Sequence, residues 1–189
     1  MSRFRLLPRL VVDRRLATVL LALAATLLPI ALVAAATSPL GFTLGQTTLP
    51  EVRRSLPPDK ITDLARSPDT TNTLIEVDPA AVDLDGLEQA LLIFEHDQLV
   101  TVLLTIDKRR FRDVVANLRT KYSVHRENIN NHMQYGEALF RSGDDWIYLK
   151  APLRDPLLLL YATDDHLPDT IRGIEEDKTK QRQQEEGKL

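Results

Sequence analysis

Four histidines, scattered carboxylates and two closely spaced glycines are the groups in this chain whose types and spacing invite chemistry. His125 and His132 lie seven apart with Glu127 between them, which on a helix would offer two imidazoles and a carboxylate to a zinc ion. Asn128, Asn130 and Asn131 and the lack of an apolar stripe instead read as a polar loop, so solvated histidines are expected. Asp83-x-Asp85-Gly86-x-Glu88 gathers oxygen ligands around a glycine, yet it lacks the third aspartate and the distant glutamate of an EF-hand. It reads as a polar turn before a strand. Asp164-Asp165-His166 suggests an acid–base pair, but adjacent side chains on an extended segment point apart, and a helix cap is the simpler role. Cysteine is absent, and neither Gly-x-Ser-x-Gly nor His-Glu-x-x-His occurs. No catalytic residue, metal or cofactor is assigned from these motifs.

Gly41 and Gly45, in GFTLGQTTLPEV, raise a phosphate-cradling loop. Such a loop needs denser glycines and a Lys-Ser/Thr pair at the helix start, and here Gln46 follows instead. Phe42 and Leu44 fit a short strand that Gly45 ends. Thr48-Leu49-Pro50-Glu51 fits a capping box, in which the threonine hydroxyl meets the third helical amide and the glutamate reaches back to the cap. Proline in that first turn removes an amide that has no partner anyway. The helix is expected to end near Leu56, before Pro57-Pro58.

Downstream, the periodicity supplies the elements that would hold any site. Leu74–Val77, Ala90–Phe94 and Leu99–Ile106 read as strands, the last two joined as a hairpin by Glu95-His96-Asp97-Gln98. Val100, Val102, Leu104 and Ile106 share one face of their strand, while Thr101 and Thr105 share the other. Phe111, Val114, Val115, Leu118 and Tyr122 recur at helical spacing behind a capping Asp107. After a polar loop from Ser123 to Tyr135, strands are expected at Ala138–Arg141, Trp146–Lys150 and Leu157–Ala162, then a short helix from Asp169 carrying Ile171 and Ile174. The expected fold is α+β: an antiparallel sheet with helices on one face, its order resembling a doubled helix-plus-three-strands unit.

The first 36 residues form a separate expectation. Arg3, Arg5, Arg9, Arg14 and Arg15 precede an uncharged run from Ala17 to Ala36, which ends in small residues fit for a signal peptidase. Cleaved, it is a signal peptide; uncleaved, residues 17–36 are long enough to tether the chain to the inner membrane. Either way residues 37–174 are expected as one exported, periplasmic α+β domain, with 175–189 as a charged flexible tail. Of 24 basic and 27 acidic residues, five arginines and one aspartate lie before residue 37, leaving the remainder at a net charge of −7. That acidity disfavours nucleic acid as a partner.

The opening FTLGQTTLPEV, the helix-and-strands order and the exported context resemble small envelope domains of the SmpA/OmlA type, and the doubled unit resembles β-lactamase-inhibitor-like proteins. The chain lacks the lipidated cysteine of the lipoprotein members. The resemblance implies a non-enzymatic domain that binds another cell-envelope protein. Trp146 and Tyr148 are the candidate partner-binding residues, because they alternate with Ile147 and share one strand face. If Ile147 and Leu149 face the core, both rings lie on the open side; if Trp146 is core, Ile147 faces out. A small-ligand carrier with an apolar cavity between helices and sheet, and a hydrolase with carboxylates or histidines in a cleft, are the alternatives.

Overall fold

In the computed structural model, residues 36–64 and 72–167 are described. The short helix α1, Leu49–Ser55, leads into four strands, β1 (Ile61–Asp63), β2 (Asn72–Val77), β3 (Leu87–Glu95) and β4 (Gln98–Ile106). The longer helix α2, Phe111–Lys121, leads into four more, β5 (Ser123–Asn130), β6 (Tyr135–Ser142), β7 (Asp145–Ala151) and β8 (Leu157–Thr163). All eight join in one antiparallel sheet of order β1-β2-β3-β4-β8-β7-β6-β5, so two meanders meet where β4 pairs with β8.

This corrects the expected α+β layering. The fold is largely β, one eight-stranded sheet in which, among the described residues, only α2 exceeds two helical turns. The unit of three strands is also wrong, because each helix is followed by four. The missing strands escaped a hydrophobicity reading: β1 has three residues, and β5, SVHRENIN, is almost wholly exposed. An edge strand of that kind is held by backbone pairing to its neighbour rather than by an apolar face. Nor do Phe42 and Leu44 form a strand; Pro39–Gly41 is a 3-10 turn, with Leu40 at φ 56° and Gly41 at φ 83°. The expected helix from Asp169, the tail 175–189 and the apolar run before residue 36 lie outside the described residues.

Local chemistry explains the elements that match. At the start of α1 the Glu51 carboxylate accepts from the Thr48 amide at 2.7 Å, and this contact holds its pKa below the ordinary value. Gly45 turns the chain at φ 68° while its amide donates to the Leu99 carbonyl at 2.8 Å. His96 and Asp97, with φ of 49° and 64°, form the two-residue turn between β3 and β4, the left-handed pair whose twist suits adjacent strands. Asp107 accepts from the Arg109 amide at 2.8 Å and so opens the 3-10 turn that precedes α2.

One sheet face holds the main core. Ile75, Leu92, Val102, Tyr161, Ile147 and Phe140 are register partners in a row across six strands. Phe111, Val115 and Leu118 of α2 and Val52 of α1 pack on that face. The chain joins this core from Thr37, whose amide donates to buried Asp145 at 2.7 Å.

Candidate functional site

The other sheet face is also apolar, although the main core lies on the opposite side. Leu91, Leu103, Leu160, Tyr148 and Leu139 are register partners across five strands, with Glu76 and Arg126 at the two ends of the row. Beside it run Leu74, Ile93, Thr101, Ala162, Trp146 and Arg141. The middle of this face is buried: Leu167, just beyond β8, packs there with Tyr148, Leu160 and Ala162. Leu74, Leu91 and Ile93 on one side, and Leu139 and Trp146 on the other, remain half-buried.

The strand alternation places Ile147 and Leu149 in the main core and both candidate rings on the opposite face. The two rings differ in accessibility. Tyr148 is 6 % exposed, whereas Trp146 is half-buried at the margin. Three neighbours fix the Trp146 ring. The Arg141 guanidinium sits over it at 4.4 Å, His125 meets it edge-on at 5.0 Å, and the indole Nε1 donates to Asp164 Oδ1 at 2.5 Å. Arg141 also approaches Asp164 at 3.4 Å. A cation over an indole contributes about 0.5–1 kcal/mol at an exposed site, so the ring is held in one pose. The arrangement suits contact, because an aromatic whose polar edge is already bonded presents area at small conformational cost.

Sequence reasoning missed Arg141, His125 and Asp164 as a group. Arg141 was within reach: the short turn after Ser142 makes it the cross-strand partner of Trp146. His125 and Asp164 arrive from β5 and from beyond β8, where spacing says nothing. His125 and His132 do not gather a metal set, and no group of three His, Asp or Glu able to hold a metal exists among the described residues. The Asp83–Gly86 turn is pinned by Arg110, whose Nη1 donates to the Asp85 carbonyl at 2.7 Å and its carboxylate at 2.6 Å.

A second cluster joins Glu95, His166 and Thr163. His166 Nε2 lies 2.9 Å from Glu95 Oε2, and its Nδ1 lies 2.9 Å from Thr163 Oγ1. In the tautomer whose Nε2–H donates to the Glu95 carboxylate, Nδ1 accepts from the Thr163 hydroxyl, the polarity of an acid–base–nucleophile relay. The amide of Gly45, near Thr163, is already spent on Leu99, so it offers no oxyanion donor. What the cluster does is fasten the chain after β8 to the end of β3.

On the core side a cleft of about 270 Å³ opens between α2, the Ser38–Leu40 segment and the Asp83–Asp85 turn. Its floor is Leu104, Ile106, Leu159 and Tyr161 at the β4–β8 centre. Tyr161 and Tyr122 meet there edge-on, rings 6.3 Å apart at 72°. Burial pushes both phenol pKa values up.

No family model matches the chain, and neither a curated protein nor a solved structure matches it.

Proposed function

We propose that this chain is a non-catalytic interaction domain of the cell envelope that docks another envelope protein on the sheet face opposite α1 and α2, with Trp146 as the anchor and Tyr148 on the same strand face. The observation that carries this reading is the pair of rows across that face, apolar to its margins and flanked by a tryptophan held in one pose. A partner would meet the half-buried apolar margins on either side of the covered middle, Leu74, Leu91 and Ile93 on one and Leu139 and Trp146 on the other. The arginine-flanked apolar run before residue 37 supports export to the periplasm, with residues 17–36 as a membrane tether if they are not removed. The net charge of −7 beyond residue 36, left when five of 24 basic and one of 27 acidic residues are set aside, argues against nucleic acid.

The test captures the tagged chain and its cross-linked partner from cells. Trp146→Ser should weaken capture about 30-fold or more, the ~2 kcal/mol that a tryptophan hot spot carries. Tyr148 is buried, so its serine variant would open a cavity and confuse the result; Tyr148→Phe keeps the ring and should retain the fold. A Trp146→Ser chain that folds normally and captures the same partner equally well would overturn the proposal.

A further inference from the structure

The last described residues run across the face that carries Trp146. Asp164–His166 form a 3-10 turn after β8, and Leu167 follows with helical torsions, φ −60° and ψ −49°. Asp164 accepts from the Trp146 indole at 2.5 Å and pairs with Arg141 at 3.4 Å, while His166 meets Glu95 at 2.9 Å. Glu95 continues the side of β3 that carries Leu91 and Ile93, so this short strap is fastened to both margins of the face. Leu167 is 8 % exposed and is seated on Tyr148, Leu160 and Ala162 of β7 and β8. At residue 167 the chain therefore lies against an apolar surface and turns as a helix turns.

That surface is covered unevenly. Leu167 closes it over β8 and β7; over β4 and β3, Leu103, Leu91 and Ile93 remain half-buried, with Leu74 of β2 beyond them. The sequence after Leu167 fits the gap. Its next large apolar side chains are Ile171 and Ile174, four and seven residues on, the spacing that puts all three on one side of a helix. At ~1.5 Å of rise per residue, Ile171 falls about 6 Å and Ile174 about 10.5 Å beyond Leu167. Adjacent strands lie ~4.8 Å apart, so the two isoleucines match β4 and β3 counted from β8. The His166–Glu95 contact already draws the strap toward β3. Asp169, Thr170, Arg172 and Glu175 are polar, as the outer side of such a segment must be.

We propose that in the free chain residues 168–175 cover the β3–β4 half of this face, with Ile171 over Leu103 and Ile174 between Leu91 and Ile93, and that a docking partner takes this place by displacing them. The displacement rests on the reading of this face as the docking site; the cover itself does not. Trp146 stays outside the cover, so the anchor is accessible for first contact while the β3–β4 margin opens only to a partner that outcompetes the segment. An occupant of this kind raises the threshold for binding, because apparent affinity falls with the fraction of chains whose face is open.

The chain has no cysteine, so an introduced pair reads proximity without background. In the purified full chain, Leu91→Cys with Ile174→Cys should close an intramolecular disulfide at least ~10-fold faster than Arg112→Cys with Ile174→Cys, whose first position is exposed on α2 at the opposite face. Ile171→Asp with Ile174→Asp, which leaves the sheet untouched, should move the amide signals of residues 91, 93 and 103 and leave those of 52, 115 and 118 in place. Locked by the 91–174 disulfide, the chain should capture the partner of the unaltered chain at least ~10-fold less well than its reduced form does. The cover is overturned by equal disulfide rates for the two pairs, by disulfides that form only between chains, or by a double-aspartate variant whose β3 and β4 signals do not move. The displacement is overturned by a locked chain that captures the partner as well as the reduced one. Failure of the docking site itself is distinguishable, since the disulfide rates are read with no partner present.

Discussion

Truncating Leu118 and Leu92 to alanine should give two different losses of stability. Both are core residues, Leu118 at 3 % and Leu92 at 0 % exposure. Leu92 sits in the row between Ile75 and Val102, enclosed on every side by the sheet core. Its truncation removes transfer free energy and leaves a sealed void, so about 4–5 kcal/mol is expected. Leu118 also packs in the core but lines the cleft, and there it already lacks contacting atoms on one side. Shortening it widens a space that is partly open, so the cavity penalty largely drops out and about 2–3 kcal/mol is expected. Urea unfolding of the full chain, followed by circular dichroism, measures both, with an unchanged denaturant slope as the sign that only stability moved. Equal losses would mean that the space beside Leu118 is not there. Losses below about 1 kcal/mol for both would mean that neither residue is core.

Other consequences are local. A Cβ on Gly136 would stand 2.0 Å from the Asn128 carbonyl oxygen at a φ of 130°, so Gly136→Ala should part β5 from β6; hydrogen exchange should speed up over 123–141 and stay unchanged in β3 and β4. Glu51 has a folded pKa below its ordinary 4.5, chiefly through the Thr48 amide, so its contribution is present above that value and lost as pH falls through the lower folded one; Glu51→Gln should flatten the acid side of the stability profile. Arg141→Ala removes the cation from above Trp146, and a fluorescence spectrum that does not change would show that the guanidinium does not hold the ring. A reporter active only outside the cytoplasm should be active when fused after Leu40, whereas activity of a cytoplasmic reporter alone would end the export reading.

How much of this could be read from residues depended on whether burial or pairing made the element. The turn at His96-Asp97, the stripe from Phe111 to Leu118 and the alternation of β4 from Val102 to Ile106 were legible because each leaves a periodic or steric mark on the sequence, whereas the bulge at Val100 left none: Leu99, and not Val100 as expected, joins Val102, Leu104 and Ile106 in the main core. In β5 the side chains of Ser123, His125 and Arg126 are solvated, and its place in the sheet is set by β6, so no apolar period records it. Misreading it as a loop turned a four-stranded meander into three strands and made the helices look weightier than they are. The two faces of β7 were legible only as alternatives, because Trp146, Ile147, Tyr148 and Leu149 are all apolar enough for a core. Only the register with β6 and β8 decides that Ile147 and Leu149 face the main core. The cleft left no trace, since it is bounded by segments near residues 40, 84, 118 and 160 that folding alone brings together.

Partner contact on the sheet face opposite α2 is tested most directly by site-specific photo-cross-linking. A benzophenone side chain would be placed in turn at Leu91 and Leu139 on that face, and at Arg112 and Ala116 on the exposed side of α2, in the full chain expressed in its own cells. The account predicts a discrete adduct of one size from Leu91 and Leu139, lost when Trp146→Ser is added, and none from α2. Adducts from Arg112 or Ala116 with none from the sheet face would contradict it.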